Sequence, residues 1–352
     1  MSTASPASAP ATNRQATFRP FYVRLAGQGH PFIAQTGVAV LSGCFCMTPH
    51  FITTDTAAIL RDLSWMVGVM TSAAMLLLYY ATATLAKLIT EVGERTPAQS
   101  RNRYLDPLHF WLSDAKFIAA GCFFGGLNCL MGHLFGVNYT DLGSKTSMFF
   151  AFFVVGFVCG MAAYGLIGVL DFTRGFVATE PRLDYREPDK CGGTSFYGDA
   201  LVKFSVVNLV MGALISYYIV FAPWAHRTKP LVHCLMGIWI AFPFVVSLSH
   251  LLGPGAFVHS MLRNYKKREQ RSLSVQIAHT RSRIAGQRNL SKELRDDLEY
   301  DLKLQAELYR MKTWPFSVAS TAHVALALLG ETVPACLEVL KLIKLVGEGK
   351  AT

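Results

Sequence analysis

SMFFAFFVVGFVCGMAAYGLIGVL, residues 147–170, runs for 24 residues without a charged side chain. A helix needs about 20 apolar residues to cross the hydrocarbon core of a bilayer, and apolar helices buried in soluble cores are usually shorter. Four comparable blocks lie on either side of it, at 64–85, 117–137, 204–223 and 231–252. A sixth, 31–51, is interrupted by Gln35 and Thr36 and closed by Pro49. The whole chain agrees with the blocks. Of 352 residues, 52% are apolar and 16% charged, against about a quarter charged in soluble domains. A mean hydropathy of +0.32 excludes a soluble single-core enzyme, a disordered chain, a collagen and a disulfide scaffold.

The net charge of +10 would suit nucleic acid if it formed one patch, but the basic residues sit beside the apolar blocks. The connector 87–116 holds Lys87, Arg95, Arg101, Arg103 and Lys116, and 172–203 holds Arg174, Arg182, Arg186, Lys190 and Lys203. After the block 231–252 come Arg263, Lys266, Lys267 and Arg268. The intervening connectors are poor, with Lys145 alone in 136–146 and Arg227 and Lys229 in 222–230. Basic connectors stay in the cytoplasm. Arg14, Arg19 and Arg24 place the N-terminus there too, so two crossings must separate it from Arg95. The block 31–51 is therefore expected to span. The expected fold is an all-α polytopic bundle of about six spans, both termini cytoplasmic, with the lipid bilayer as partner and no nucleic acid.

Residues 1–30 read as a flexible cytoplasmic tail, Ala/Ser/Pro/Thr-rich to Thr17 and without an apolar core of signal-peptide length. Residues 31–257 form the bundle. Small residues let helices approach closely in lipid, and Gly121/Gly125, Gly132/Gly136, Gly156/Gly160 and Gly237/Ala241 are spaced for it, within or between subunits. Residues 258–312 turn strongly charged. A stop at Gly286 and a new start at Ser291 with Glu293 in the first turn predict a helical hairpin. Leu294, Leu298, Leu302 and Leu308 or Tyr309 fall on one face at helical spacing, for packing against the hairpin's other arm or against another subunit. Residues 313–352 are apolar again but broken by Glu331 and Pro334, which suits re-entrant or interfacial helices better than a seventh span.

Little in this chain looks like catalysis. His133, His233 and His250 lie near span ends, and the topology puts His133 and His250 on opposite sides, which disfavours a haem. The eight cysteines form no CxxC pair, and no HExxH, P-loop or nucleophile elbow is present. No metal, cofactor or catalytic residue is expected. Asn128, His133, Ser205, Asn208 and Ser216 place hydrogen-bonding groups within spans, either to bond neighbouring helices or to line a hydrated pathway.

The most specific stretch is Glu187-Pro-Asp-Lys-Cys-Gly-Gly-Thr-Ser-Phe-Tyr-Gly198. Pro188 and the adjacent Gly192 and Gly193 force a tight turn before a span, and Asp189, Cys191, Gly192 and Gly193 form its interfacial motif. This stretch resembles a His-Pro-Asp-x-Ala-Gly-Gly-Leu-Gly-Phe-Leu-Gly motif of uncharacterised bacterial multi-pass membrane proteins. Those proteins also carry a Met-x-x-Trp-Pro-Phe-like element after a charged helix, as in Met311-Lys-Thr-Trp314-Pro315-Phe316. This chain departs at Glu187, Cys191, Thr194 and Ser195. The resemblance implies a bacterial inner membrane and no particular activity.

Three functions fit these features. The first is an oligomeric membrane protein, a homo-oligomer, forming an ion-conducting or otherwise permeable pathway gated through the hairpin. The second is a scaffold or sensor whose hairpin docks a cytosolic protein. The third is an enzyme acting on a lipid phosphate at the inner face, using Asp171, Glu187 and Asp189 with Arg174 and Arg182.

Overall fold

The computed structural model describes residues 20–25, 31–137, 141–221, 230–285 and 292–316, and every regular element among them is helical. In chain order the helices are α1 (Phe21–Leu25), α2 (Pro31–Thr53), α3 (Thr56–Arg61), α4 (Trp65–Arg95), α5 (Asn102–Trp111), α6 (Asp114–Phe135), α7 (Leu142–Ala178), α8 (Ser195–Phe221), α9 (Pro230–Ala285) and α10 (Lys292–Arg310). Among the described residues six helices, α2, α4 and α6 to α9, are long and apolar enough to cross a membrane. The protein is an all-α polytopic bundle. The block broken by Gln35 and Thr36 is one of the six, and Pro49 lies inside its helix. Residues 1–19 and 26–30 of the N-terminal tail, the turn at 286–291 and the apolar segment after Phe316 lie outside the described residues; Phe21–Leu25 of the expected flexible tail instead form α1, with Tyr22 buried.

Backbone groups find no water in lipid, so each span satisfies its own by staying helical. What brings the helices together is the absence of side chains. A Cβ on Gly125 would stand 2.8 Å from the Phe153 carbonyl oxygen, and one on Gly156 would stand 2.9 Å from that of Phe124. Gly121 faces Phe157, Gly132 faces Phe152, and Gly160 faces Phe124. The spaced glycines of α6 and α7 thus form one seam inside a single chain, phenylalanine rings laid over the other helix's glycines. Gly43 and Gly68 do the same for α2 and α4. Gly237, by contrast, has open space around it.

Connectors at one end of the bundle carry Arg24, Arg95, Arg101, Arg103 and Arg182, and this is called the basic end below. There Arg24 and the Phe21 amide meet Asp114 at the start of α6. Arg103 donates to the Ala178 carbonyl, and the Arg182 amide to that of Arg95. At the opposite end, His50 and Thr53 of α2 and Thr54 just after it bond to Ser144 and Ser147 of α7, and the Asp141 carboxylate accepts from the Ser144 amide.

The sixth span and the first hairpin arm are one helix. α9 has 56 residues, roughly 84 Å at 1.5 Å per residue, and runs unbroken through Pro243 and Gly253-Pro254-Gly255. Proline inside a membrane helix costs one backbone hydrogen bond, which neighbouring helices help to compensate. α10 folds back on the far half of α9. Its Leu294 and Leu308 are buried and Leu298 half-buried, but Leu302 is 39% exposed. At 100° per residue, Asp301 lies nearer the centre of the Leu294/Leu298/Leu308 face than Leu302 does. Asp301 is buried there and accepts from Gln276 Nε2 at 3.0 Å.

A Gly125→Leu substitution forces the Phe153 backbone aside and should destabilise the protein by about 1–3 kcal/mol. Gly126→Leu, one residue on and facing open space, should be nearly neutral. Thermal unfolding of both variants in one detergent checks the difference.

Candidate functional site

The seam between α6 and α7 is tight, whereas α6 meets α9 only sparsely. Space is left on that side. A chamber of about 110 Å³ opens among α4, α6, α7, α8 and α9, walled by residues such as Met70, Phe152, Met211, Trp239 and Phe242. A second, of about 50 Å³, continues towards the basic end between Leu85, Phe117, Val169 and His250. Leu78, Ala162, Val207 and Asn208 line both, so the two are in series along the bundle. At the basic end α1 closes the second chamber. Tyr22 lines it, bonds Thr82 Oγ1 through its hydroxyl at 2.7 Å, and packs edge-on against Tyr79.

The polar groups expected within spans are placed differently from one another. Asn128 lines the first chamber and donates to the Phe152 carbonyl at 2.7 Å. Asn208 lines both chambers, donates to the Phe204 carbonyl at 2.9 Å, and lies 3.3 Å from His250 Nδ1. Ser205 faces away into α9, where it and Ser247 each donate to the other's carbonyl, at 3.0 and 2.8 Å. Ser216 is buried, its hydroxyl without a partner among the described residues. His133 is exposed in the last turn of α6, away from the chambers, at the opposite end of the bundle from His250.

Beneath the chambers, the two sequence motifs meet. Lys190, Gly192 and Gly193 all adopt positive φ, 55°, 64° and 79°, and this curls the backbone around one carboxylate. Asp189 accepts from the amides of Cys191 at 2.8 Å, Gly193 at 3.0 Å and Ser195 at 3.0 Å, the last of these opening α8. Burial raises the Asp189 carboxyl, but the three amides outweigh it and hold the group below its ordinary range. Gly193 is doubly required, because the Arg95 guanidinium lies directly against it. Arg95 also reaches Glu187 at 3.8 Å and lies 5.4 Å from the centre of the Phe196 ring. Thus Glu187, a departure from the resembled motif, supplies Arg95 with a counter-charge.

The Met311–Phe316 element packs on this turn from the other side. The Lys312 amide donates to the Lys190 carbonyl at 2.7 Å, and the Cys191 thiol to that of Trp314 at 3.5 Å. Gly198 leaves room for the Pro315 carbonyl to cross the first turn of α8. Lys266 of α9 donates to the carbonyls of Tyr309 and Met311, at 2.9 and 2.7 Å. Trp314 stacks on His259 at 4.4 Å and on Phe316 at 5.7 Å, and both rings cover Gly255. The joint therefore clamps α9 just past Gly253-Pro254-Gly255.

The acidic residues considered for metal and phosphate are occupied separately. Asp171 takes the Trp111 indole N–H and Arg174, Glu187 takes Arg95, and Asp189 takes backbone. No three His, Cys, Asp or Glu side chains converge as metal ligands among the described residues. In the sequence Arg95 marks topology and His250 a polar group near a span end, but neither the contact of Arg95 with Gly193, nor that of His250 with Asn208, nor the Gly253-Pro254-Gly255 joint was expected. The Gly-Pro-Gly triplet was visible at the foot of an apolar block, but the pairing of His250 with Asn208 depends on helix rotation, which periodicity does not supply. No protein-family profile, no curated protein and no solved structure matches the chain.

Asp189→Ala should cost about 2 kcal/mol or more at pH 7, because it leaves three amides without their acceptor. Asp189→Asn should recover only part, since its NH2 faces a donor. A carboxyl lowered by folding stabilises above the unfolded value of about 4, and that contribution is lost as the pH falls through the folded value. Unfolding midpoints of wild type and Asp189→Ala measured from pH 7 downwards should therefore converge in acid.

Proposed function

We propose that this chain is a bacterial inner-membrane protein whose bundle receives and passes a largely apolar small molecule. The hairpin, on the cytoplasmic side, is the handle through which a soluble partner or a second copy acts. The observation that carries the reading is the pair of chambers in series, joined at Leu78, Ala162, Val207 and Asn208. Their walls are aliphatic and aromatic, the usual surface for an apolar ligand. An ion would need rings of charge or carbonyl oxygens, and among the described residues no Asp, Glu, Lys or Arg lines either chamber. The pathway expected from sequence is kept here, with its cargo changed from an ion to an apolar solute.

Coupling to the hairpin is supported by α9, which lines both chambers through Trp239, Pro243 and Val246 on one side and His250 on the other, then continues into the arm. The arm and α10 also expose Val275, Tyr300 and Tyr309, apolar groups that a partner could cover. Kinship with the bacterial membrane proteins named above is supported by the packing of their two motifs against each other in this chain. The cytoplasmic assignment of the basic end rests on its arginines.

Protein purified in nanodiscs should yield, on organic extraction, an apolar molecule enriched over bulk lipid and near stoichiometric. Ala162→Phe, which fills the constriction, should lose it without unfolding. Equal recovery from both proteins would overturn the reading. For orientation, a cysteine at Arg268 should react with a membrane-impermeant maleimide only after the inner membrane is opened. Labelling in intact spheroplasts would place the hairpin on the other side.

A further inference from the structure

The chambers are apolar, yet where they join the chain has placed two polar side chains with unused capacity. His250 is 3% exposed and lines the second chamber. Its Nδ1 lies 3.1 Å from the Val246 carbonyl oxygen and 3.3 Å from Asn208 Nδ2. Its Nε2 has no hydrogen-bond partner among the described residues. Asn208 uses its NH2 on Phe204 and His250, and its Oδ1 likewise has none among the described residues. Buried polar groups are nearly always paired, and an unpaired one calls for an explanation. Packing does not supply it, because both groups face open volume.

We infer that Asn208 and His250 bind the head of the chambers' occupant, and that this occupant is a hydrocarbon chain bearing one uncharged hydroxyl or carbonyl oxygen. The inference deepens the proposed function and rests on it. The chemistry follows from the two nitrogens of one ring. When Nδ1–H donates to the Val246 carbonyl, Nε2 is an acceptor, and a hydroxyl gives its one proton to Nε2 or to Asn208 Oδ1. When Nδ1 instead accepts from Asn208, Nε2–H donates to a carbonyl oxygen. Either tautomer serves an uncharged oxygen. A phosphate or carboxylate head would need a cation, and among the described residues no Lys or Arg lines either chamber.

The geometry also sets a length. Trp239 lines the first chamber on the same helix, eleven residues before His250, roughly 16 Å along the axis. An extended twelve-carbon chain with its oxygen at His250 therefore ends near the indole. Pro254 leaves the His250 carbonyl without its helical donor, so the head-binding residue belongs to the turn that opens the Gly-Pro-Gly joint.

The test uses full-length protein in which Trp239 is the one remaining tryptophan, titrated with 12-bromododecan-1-ol and with 1-bromododecane, bromine being the quencher. Ala162→Phe supplies the quenching that arises from detergent alone. The expected result is saturable quenching by both probes above that baseline, with about tenfold tighter binding of the alcohol, the worth of one hydrogen bond to a buried unpaired group. Asn208→Leu and His250→Phe should each abolish the advantage, so that within each variant the alcohol binds no more tightly than bromododecane. Competition by decyl-ubiquinone but not by a monoacylglycerol would assign the natural head to a quinone-type carbonyl, and the converse to a lipid hydroxyl. Equal affinity for alcohol and alkane in the unsubstituted site overturns this inference but leaves the proposed function standing. Absence of quenching above baseline by either probe overturns both.

Discussion

Lipid offers a polar group nothing to bond to, and most of this structure follows from that constraint. Each span must close its own backbone hydrogen bonds, so Pro49, Pro243 and Pro254 are carried inside helices instead of ending them. Side-chain polarity is disposed of in the same way. Thr71, Thr82 and Thr173 return their hydroxyls to the carbonyl four residues back, and Ser205 and Ser247 serve each other across α8 and α9. Against that thrift, Asn208 and His250 stand out because they keep atoms unspent facing a void.

The void itself is a by-product of close packing elsewhere. Hydrophobicity does not draw helices together inside a hydrocarbon, so contact depends on how near the backbones can come. α6 and α7 approach through Gly121, Gly125, Gly156 and Gly160, each covered by a phenylalanine of the other helix. Committing α6 so fully to α7 takes it away from α9, and the chambers occupy the difference. Bulky residues that might have filled them, such as Phe124 and Phe152, are partly drawn into the seam.

Much of this was readable from residue order, and the rest was hidden for identifiable reasons. Span number followed from apolar length and from the arginines that force 31–51 to cross. The glycine spacings were visible, but whether they join helices of one chain or of two depends on which rotamers bring Phe153 and Phe124 over them. The hairpin stripe was placed to within one residue. Asp301 displaced Leu302 because a polar side chain with Gln276 opposite can be buried, a pairing 25 positions apart that no local period reveals. Asp189 was recognised as part of a tight turn, though not as the acceptor of three amides, since that role depends on the left-handed conformations of Lys190, Gly192 and Gly193. Arg95 marked the topology as a basic connector residue, but it lies about a hundred positions from the motif it supports, and nothing local pointed to that contact.

The unbroken α9 has a mechanical meaning. A helix resists twisting along its length, so an arm and a span cut from one rod would turn together. Torque applied to the exposed arm would swing the imidazole of His250 around the helix axis, away from Asn208 and out of the void. Gly253-Pro254-Gly255 is the place where such torque can leak, because Pro254 leaves one hydrogen bond unmade and the glycines resist bending least. The Trp314 and Phe316 rings packed over Gly255 would brake that slack: with them seated the shaft would transmit, and with them lifted it would slip.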